Sequence, residues 1–468
     1  MIDLRQLREN PDRFRQGTVD KGGDAELVDA LLEADATARD ARARIEALTA
    51  EKNSLGKAVG EAAAKLKAAR PEDEERARRR FADLQQRPNQ IKAEVESLAE
   101  PLREAEAARE RLWLLVPQPA DPDVPVGRSA ADNVEKSRWH PGGEGGFDPA
   151  KSFEDNRGFA PKSHVELGAS LGLFDFERGV KASGSRSYVL TGLGMRLHQA
   201  VLRHALDRMV DRHGFTPLSA AALVKHETMV GTGFFPGGRD QVYDVANPTS
   251  EDGLALTGTG EVGLMAYHSG EILPHEELPK RYVTVSTCFR REAGAAGRDA
   301  AGLYRIHQFD KVEQVVLCEN SEEASRAHHA QMLGFVTGML EDLGLPHRLL
   351  QCCTGDLGLK NADMVDVECW MPSRVLPGAP AGDPSGWGET HSASRLSDFQ
   401  TRRLNLRYRD PADPKGKKTR FCHSLNNTVA ASPRLLIPLL EIHQRADGSV
   451  WVPEVLRPHM GGVGEIRA

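Results

Sequence analysis

The stretch VSTCFRREAGAAGRDAAGLYRIHQFDKVEQVVL, residues 285–317, is the most informative part of this 468-residue chain. It predicts one strand over Tyr282–Phe289, leading into Arg290, and a second strand over His307–Leu317. The loop between them contains three glycines, Gly294, Gly297 and Gly302. Two strong strands that lie next to each other across one loop favour an antiparallel sheet.

The polar residues of this stretch fall on one face of the predicted pair. Because side chains alternate along a strand, Arg290 and Glu292 share one face of the first strand. The second strand carries a matching set: Arg305, His307, Phe309, Lys311 and Glu313. A solvated sheet face would explain these charges, and a ligand-binding face is the competing interpretation. The loop favours the second, because a glycine-rich connection that closes over two arginines suits a polyphosphate.

Residues 25–112 differ from the rest of the chain, being rich in Ala, Arg, Glu and Leu. Apolar residues recur there in steps of four and three, which is the seam of a coiled coil. Before the breaker Arg70-Pro71 the seam consists of Leu27, Leu31, Ala34, Ala38, Ala41, Ile45, Leu48, Leu55, Val59, Ala62 and Leu66. After the breaker it consists of Phe81, Leu84, Ile91, Val95, Leu98, Leu102, Ala105 and Leu112. The pattern predicts an antiparallel helical hairpin, bent or locally broken at Pro88 and Pro101.

A hairpin with about 40 residues in each helix reaches about 60 Å, which is far beyond any small-molecule site. We therefore expect an arm that contacts a large substrate, and a dimerisation rod is the alternative. Basic residues gather near the predicted tip and could contact phosphates. They are Lys65, Lys67, Arg70, Arg76, Arg78, Arg79 and Arg80.

Residues 117–160 are dense in Pro, Gly and Asp without a period, which predicts a linker between an N-terminal domain, 1–116, and a body, 161–468. In the body, apolar periodicity predicts helices over Gly194–His213 and Ser321–Leu343. Strands and helices do not alternate regularly, so the fold class is α+β on an antiparallel sheet. No Walker A loop occurs, so nucleotide chemistry needs another scaffold.

Composition narrows the class of protein further. The net charge is -7, so a nucleic-acid partner must meet a local basic patch. The six cysteines all follow residue 287 and contain no C-x-x-C pair, which predicts buried, reduced thiols and no zinc site. We find no apolar run of membrane-span length, and the charged start MIDLRQLRENPDRFRQ is unlike a signal peptide. The sequence thus predicts a cytoplasmic protein without a membrane partner.

The motifs resemble those of seryl-tRNA synthetases, class II aminoacyl-tRNA synthetases of the bacterial type. FRREAG followed by GLYRIHQFDKVE is similar to motif 2, and LNNTVAASPRLLIPLLEIHQRADGSVWVPEVLRP is similar to motif 3. MIDLRQLRENPDRFR and EKNSLGKAVG resemble the N-terminal arm, and TGTGEVGLMAYHSGEIL resembles the serine-binding segment. CTGDLGLKNADMVDVECWMP and SDFQTRRLNLRYR resemble core strands of that family. Together these motifs cover nearly the whole chain in the family order.

The resemblance implies roles for individual residues. Arg290 and Arg434 would be catalytic, contacting the α-phosphate and the γ-phosphate of a bent ATP. Glu292 would meet the adenine amino group, and Phe309 would stack on the ring. The full implied ATP set is Arg290, Glu292, Arg305, Ile306, Phe309, Glu389, Ser392 and Arg434, with Glu389 and Ser392 as ligands of Mg²⁺. The implied serine set is Thr259, Glu261, Arg290, Glu313, Asn426 and Thr428.

The resemblance also implies partners: L-serine, a serine tRNA bound by the arm, and a second copy in a homodimer through motif 1, near Gly214 to Val224. Several positions depart from the family's usual pattern: Ala220 and Ala221, Gly388, the run HSASRL, and Val429 and Pro433. Pro438, inside the motif 3 helix, is a further unusual position. Gly388, for example, stands beside Glu389 where arginine is usual. Two alternatives remain open. One is a specialised paralogue that supplies an aminoacyl group to a biosynthetic pathway or a carrier, and the other is a non-catalytic, RNA-binding protein.

Overall fold

The computed structural model describes residues 1–143, 145–246, 253–294 and 301–468. The chain divides into two compact units. The smaller unit comprises Asp3–Val19 and Gly23–Val116, and the larger comprises Met1–Ile2, Asp20–Gly22 and Pro117–Ala468. Of the glycines predicted to shape the loop after the first strand, Gly297 lies outside the described residues.

The smaller unit contains the predicted helical hairpin. Its helices are α1 (Leu4–Glu9), α2 (Pro11–Asp20), α3 (Glu26–Lys67) and α4 (Glu74–Trp113). Ion pairs cross the hairpin in the antiparallel register, such as Arg87 Nε to Glu51 Oε1 at 2.7 Å and Arg44 Nη2 to Glu94 Oε2 at 3.5 Å. Every predicted seam position is buried or half-buried, so the predicted coiled coil is confirmed.

The two prolines of the second arm helix lie inside one continuous helix, α4. The predicted local break is therefore absent at Pro88 and at Pro101. Each proline removes one helical hydrogen bond, but seam residues on both sides of it remain packed on α3 and hold the helix together. Leu84 and Ile91 flank the first proline in this way, and Ile91 is fully buried.

An eight-stranded sheet dominates the larger unit. Its strands are β1 (Val134–Trp139), β4 (Thr216–Pro217), β9 (Lys280–Phe289), β10 (Gln308–Cys318), β11 (His347–Gln351), β12 (Asp363–Trp370), β13 (Trp387–Arg395) and β16 (His423–Ser432). They lie in the order β1-β11-β12-β13-β16-β10-β9-β4. All neighbouring strands of this sheet are antiparallel except β4 and β9, which confirms the α+β class.

Shorter strands form small sheets around the large one. They are β2 (Phe174–Asp175), β3 (Val189–Leu190), β5 (Leu223–Lys225), β6 (Tyr243–Val245), β7 (Leu254–Leu256), β8 (Ile272–Leu273), β14 (Arg407–Arg409), β15 (Thr419–Phe421), β17 (Val450–Trp451) and β18 (Glu465–Ile466).

The helices of the larger unit include both predicted ones. They are α5 (Phe153–Arg157), α6 (His164–Ser170), α7 (Phe176–Ser183), α8 (Gly192–Asp207), α9 (His226–Gly231), α10 (Glu261–Ala266), α11 (Glu322–Asp342), α12 (Phe399–Arg403) and α13 (Leu436–Ile442). Helix α8 continues as a π-helical turn, Arg208–Arg212, so the predicted Gly194–His213 helix is confirmed. Helix α11 is capped by the side chain of Ser321, which accepts a hydrogen bond from the Ala324 amide at 3.2 Å.

The predicted strand pair is confirmed as β9 and β10, with Val285 opposite Val312. Its ends differ from the prediction, because Arg290 and Glu292 follow β9, while Arg305 and His307 precede β10. The backbone of Glu292 has a φ of +51°, a left-handed conformation that is incompatible with an extended strand at this residue. One further bond, from the Arg290 amide to the His307 carbonyl at 2.9 Å, continues the pairing beyond the strands.

Residues 117–160, which composition predicts to be a linker, belong to the larger unit and contribute the edge strand β1 to its sheet. Five of the six side chains of β1 are exposed, so the strand lacks the apolar alternation that would reveal it in the sequence. Asp121 anchors the start of the segment, accepting a hydrogen bond from Arg326 Nη2 at 2.9 Å.

The main core lies between the large sheet and helices α8, α11 and α13. Val312 and Val316 of β10 enter it, and Gln314 Nε2 donates to the Met332 carbonyl of α11 at 3.3 Å. The intervening residues of β10 therefore project from the opposite face of the sheet. All six cysteines are buried, free thiols, as the sequence predicts. Among the described residues, no helix is long and apolar enough to cross a membrane.

We predict that Pro88→Ala stabilises the arm by up to about 3 kcal/mol, because alanine restores a helical N–H and removes a clash with the preceding turn. Hydrogen exchange of the α4 amides should slow. Gln86→Ala is the control. Gln86 is exposed in the same turn, and both glutamine and alanine are good helix formers, so this change should leave the exchange rates unaltered. Faster exchange in the Pro88 variant would contradict the continuous helix.

Candidate active site

Strand β10 carries the centre of the site on the face opposite the main core. Phe309, Lys311 and Glu313 alternate there with core residues, as strand geometry requires. Strand β16 lies beside it in antiparallel register, with Glu313 opposite Thr428. A bulge between Val312 and Glu313 shifts this register locally. Bulges re-aim side chains, and this one lies where the two strands bring their polar groups together.

Lys311 and Glu313 form a buried ion pair, with Lys311 Nζ 2.5 Å from Glu313 Oε2. The same ammonium donates to Thr259 Oγ1 at 2.7 Å. The side chain of Glu313 is 1% exposed. Burial raises the pKa of Glu313, and the attraction of Lys311 acts in the opposite direction. The pair therefore places an ionisable acceptor and its counter-ion inside the protein, where an unpaired charge would be costly.

A second buried carboxylate, Glu261, begins helix α10 and lies beside this pair. It accepts hydrogen bonds from Gln400 Nε2 at 2.6 Å and from Asn426 Nδ2 at 2.8 Å. It also pairs with the ammonium of Lys360. Burial lowers the pKa of Lys360, and the neighbouring Glu261 carboxylate opposes that shift.

Asn426 joins the two carboxylates. Its Nδ2 donates to Glu261 Oε2 and, at 3.3 Å, to Glu313 Oε1, which fixes the orientation of the amide. Thr428 Oγ1 donates to Glu313 Oε2 at 3.4 Å. Asn426 Oδ1 is buried and has no hydrogen-bond partner within the described part of the chain, so it can accept from a ligand. One network thus contains five residues of the implied serine set: Thr259, Glu261, Glu313, Asn426 and Thr428.

Beside this network lies a pocket of about 470 Å³. Residues named from the sequence form more than half of its lining: Arg290, Glu292, Ile306, Phe309, Glu389, Thr428 and Arg434. The guanidinium of Arg290 lies 5.2 Å from the centre of the Phe309 ring, and its Nε donates to the Gly258 carbonyl at 3.4 Å. The pocket therefore combines an aromatic face with two guanidinium groups, as a nucleotide site requires.

The second arginine of the pocket, Arg434, lies between β16 and α13 and is held by two carbonyls. Its Nε donates to Tyr304 O and its Nη1 to Glu389 O, each at 3.1 Å. Its guanidinium also stacks 4.4 Å from the centre of the Tyr304 ring. These contacts fix the cation before any ligand binds, which reduces the reorganisation needed to bind a polyanion.

Glu292 and Arg305 pair with each other at 3.2 Å between Oε2 and Nη1. Arg305 lies outside the first pocket and lines a neighbouring one of about 1070 Å³, which also contains Arg290 and Glu292. The two pockets thus meet at Arg290 and Glu292. Arg305 lines the second pocket and Arg434 lines the first, so the two guanidinium groups lie in different parts of the cleft.

The implied metal ligands lie on β13. Glu389 lines the first pocket, whereas Ser392 is absent from that lining and stands opposite Asp366 of β12. Burial raises the pKa of Asp366 to about 8, the Glu389 carboxylate adds to the shift, and the Ser392 hydroxyl opposes it. Asp366 Oδ1 is also buried without a hydrogen-bond partner in the part of the chain described here. This uncompensated carboxylate beside Glu389 and Ser392 fits a hard cation such as Mg²⁺, which prefers oxygen ligands.

Several site residues escape sequence reasoning. The alternation in β10 places Lys311 on the polar face without showing its partners. Asp366 is one of three acidic residues in β12, and no pattern in that strand distinguishes it from the other two. Lys360, Gln400 and Tyr304 reach the site from turns and a short helix, so no strand or helix period marks them. A further ligand-type group outside the predicted set brings single atoms of Cys352, Asp356 and Asp366 within 4.8 Å of one another.

Two of the unusual positions have physical explanations. A Cβ added at Gly388 would lie 3.1 Å from Arg374 Cδ and 3.1 Å from Tyr304 Cε2, so a larger residue there would require these side chains to shift by a few tenths of an ångström. The Arg374 guanidinium instead stacks on Tyr304, at 4.2 Å from the ring centre. Pro438 is the third residue of α13. The first four N–H groups of a helix have no acceptor within the helix, so a proline there removes no helical hydrogen bond.

Comparisons with known proteins agree with this geometry. The seryl-tRNA synthetase N-terminal domain matches residues 1–118, and the class II tRNA synthetase core domain (G, H, P, S and T) matches residues 243–443. A serine–tRNA ligase of Deinococcus radiodurans is 42% identical over 99% of this chain and 98% of its own length. The chain belongs to the seryl-tRNA synthetase family. A serine–tRNA ligase of Streptomyces coelicolor is 40% identical over 99% of this chain and 98% of its own.

Solved structures of the seryl-tRNA synthetase family show the same fold over the full length. The Pyrococcus horikoshii seryl-tRNA synthetase, crystallised with ATP, superposes with a TM-score of 0.82 and 33% identity, covering 100% of this chain and 99% of its own. The cytoplasmic serine–tRNA ligase of Naegleria fowleri, in complex with AMP, gives 0.82 and 26% over the same shares. The predicted resemblance, the class II enzyme type and the hairpin-plus-core architecture are confirmed.

We predict that Lys311→Met lowers the free energy of unfolding by about 3–5 kcal/mol, because it leaves the buried Glu313 carboxylate without its cation. Adding Glu313→Gln should recover a large part of that loss, since the second change removes the uncompensated charge. Urea unfolding of the two single variants and the double variant measures this coupling. Strictly additive losses would show that the two side chains act independently.

Proposed function

We propose that this chain activates L-serine with ATP to form seryl-adenylate and then transfers the seryl group to the 3′ end of a serine tRNA. The observation that carries the proposal is the buried Glu261–Asn426–Glu313 network beside a pocket lined by Arg290 and Arg434. A pocket for a small polar amino acid and a pocket for a polyphosphate thus share one wall. The specialised paralogue and the non-catalytic RNA-binding protein are less favoured, because full-length relatives are named serine–tRNA ligases.

Adenylate formation needs charge stabilisation rather than a nucleophile from the protein. The serine carboxylate attacks the α-phosphate, the bond between the α-phosphorus and the oxygen that bridges to the β-phosphate breaks, and pyrophosphate leaves. Negative charge accumulates on the phosphate oxygens during this step. Arg290 would contact this phosphate and Arg434 the far end of a bent ATP, each as a charge-assisted donor. Phe309 would stack on the adenine ring, and Glu292 would accept from its amino group. Mg²⁺ held by Glu389 and Ser392, with Asp366 beside them, would neutralise further phosphate charge.

Selection of serine would depend on Glu313. It is a buried acceptor, and a ligand without a hydroxyl leaves it with one partner fewer. That asymmetry can amount to ~10⁴ in discrimination between serine and alanine. Asn426 Oδ1 offers a second acceptor in the same pocket. Thr259 and Glu261 would receive the α-amino group, and threonine would be excluded by the lack of space around its additional methyl group.

The arm would bind the elbow and the long variable region of the tRNA. All seven basic residues near its tip are exposed, which leaves their side chains accessible to phosphates. Arg78 and Arg79 pair with Glu74 and Glu75 on the same helix, at 2.7 and 2.6 Å. Exposed pairs of this kind contribute little, so exchanging a carboxylate for a phosphate is easy. We further place a homodimer contact near residues 214–224 and the protein in the cytoplasm.

The first test of the function is amino-acid-dependent exchange of pyrophosphate into ATP. Serine should be the one standard amino acid that gives strong exchange. Arg290→Ala and Arg434→Ala should fold and lose on the order of 10²-fold or more in rate, because each removes a fixed donor to the transition state. Arg445→Ala, which breaks only an exposed pair with Glu465, serves as the control. Strong exchange with alanine or glycine, or near-normal rates in either arginine variant, would contradict the assignment.

The second test separates a tRNA ligase from an enzyme that loads a carrier. Deleting residues 36–104 and closing the gap with a short glycine-containing turn should leave serine-dependent exchange nearly intact and abolish tRNA charging. Charge reversal of Arg78, Arg79 and Arg80 should give a milder, salt-sensitive defect. It should be largest at low salt and smaller as salt is raised, because salt also weakens the phosphate contacts of the wild-type protein. If the armless protein charged tRNA normally, the arm would be a structural rod.

A further inference from the structure

The ammonium of Lys360 occupies a site that is built for a cation. It pairs with the Glu261 carboxylate, and Nζ lies 4.0 Å from the centre of the Phe234 ring. A carboxylate together with an aromatic face is a common environment for a bound ammonium group. Gln400 donates to the same carboxylate oxygen, at 2.6 Å. The chain thus supplies its own ammonium to the acid that, in the proposed function, receives the amino group of serine.

The turn that carries Lys360 is itself held in place. Lys21 Nζ donates to the carbonyls of Gly358 and Asn361, at 2.9 and 2.6 Å, on either side of Lys360. Asn361 Nδ2 adds a bond to Ser394 Oγ of β13 at 2.8 Å. The side chain of Lys360 is only 13% exposed. Its position therefore follows from the fold and is not the chance placement of a long surface side chain.

The buried charges of the serine pocket already balance without a substrate. Glu261 and Glu313 contribute two negative charges, and Lys311 and Lys360 contribute two positive ones. Serine brings a third ammonium into this space. Two ammonium groups beside one carboxylate repel each other, and that repulsion is strong where water is largely excluded.

We propose that Lys360 is a resident counter-ion that competes with the α-ammonium of the amino acid for Glu261, and that it thereby determines affinity and selectivity. The proposal rests on the proposed function, in which Glu261 receives the amino group. A ligand with a hydroxyl in place of the ammonium leaves Glu261 paired with Lys360, so the native pocket penalises it little. Without Lys360, the hydroxyl ligand would leave Glu261 without a cation. The α-ammonium of serine would then be the sole cationic partner of Glu261.

The experiment measures KM for serine and for ATP by pyrophosphate exchange in Lys360→Gln, which keeps a donor for Glu261 and removes the charge. KM for serine should fall on the order of tenfold, while KM for ATP stays unchanged. Inhibition by L-glycerate, the hydroxyl analogue, should weaken in the same variant. Lys360→Arg keeps the cation and should retain the wild-type KM for serine. Lys415→Gln, on an exposed loop, is the matched control.

In Lys360→Gln, KM for serine should fall while the inhibition constant for L-glycerate rises. A merely structural role of Lys360 would not change the two constants in opposite directions. An unchanged or higher KM for serine in Lys360→Gln would overturn the proposal. Lys360→Ser, which leaves room for water beside Glu261, is measured in parallel, and if neither variant folds, Lys360 is a structural counter-ion and the proposal fails. Failure of the wild-type protein to exchange with serine would instead refute the proposed function.

Discussion

The pairing of buried charges is the constraint on which the rest of the site depends. Glu261 and Glu313 lie inside the protein, so each needs cations and donors in a fixed position. Lys311 comes from the same strand as Glu313, Asn426 from the neighbouring strand and Lys360 from a turn. The register of β10 with β16 must therefore be correct, because a slip of one residue would turn these side chains to the other face.

The same sheet face explains why the pockets proposed for the amino acid and for the nucleotide adjoin. Lys311 and Thr428 belong to the polar network and also line the pocket that contains Arg434. Arg290 contacts both proposed pockets, through Gly258 in the segment proposed to bind serine and through the ring of Phe309. A carboxylate bound at one pocket is thus presented to a phosphate bound at the other. Proximity of this kind supplies a large part of the rate enhancement in two-substrate reactions.

Sequence patterns predict the parts of the structure that are periodic or that form known motifs. The seam of the hairpin follows from apolar residues in steps of four and three, and the β9–β10 pair follows from two strand-like segments joined by one loop. The motifs predict most of the residues that line the proposed serine and ATP pockets. The edge strand β1 escapes prediction because its side chains are exposed. Lys360 and Gln400 escape it because their importance arises from long-range contacts with Glu261, which no local pattern encodes. Their partners lie more than ninety residues away along the chain.

The most direct test of this account is a crystal structure of the chain with a non-hydrolysable sulfamoyl analogue of seryl-adenylate. The account predicts the serine hydroxyl within hydrogen-bond distance of Glu313, and the amino group on Thr259 and Glu261. It also predicts the adenine ring against Phe309 and an altered contact between Lys360 and Glu261. A serine moiety bound away from Glu313, or an adenine ring outside the pocket between Arg290 and Arg434, would contradict it.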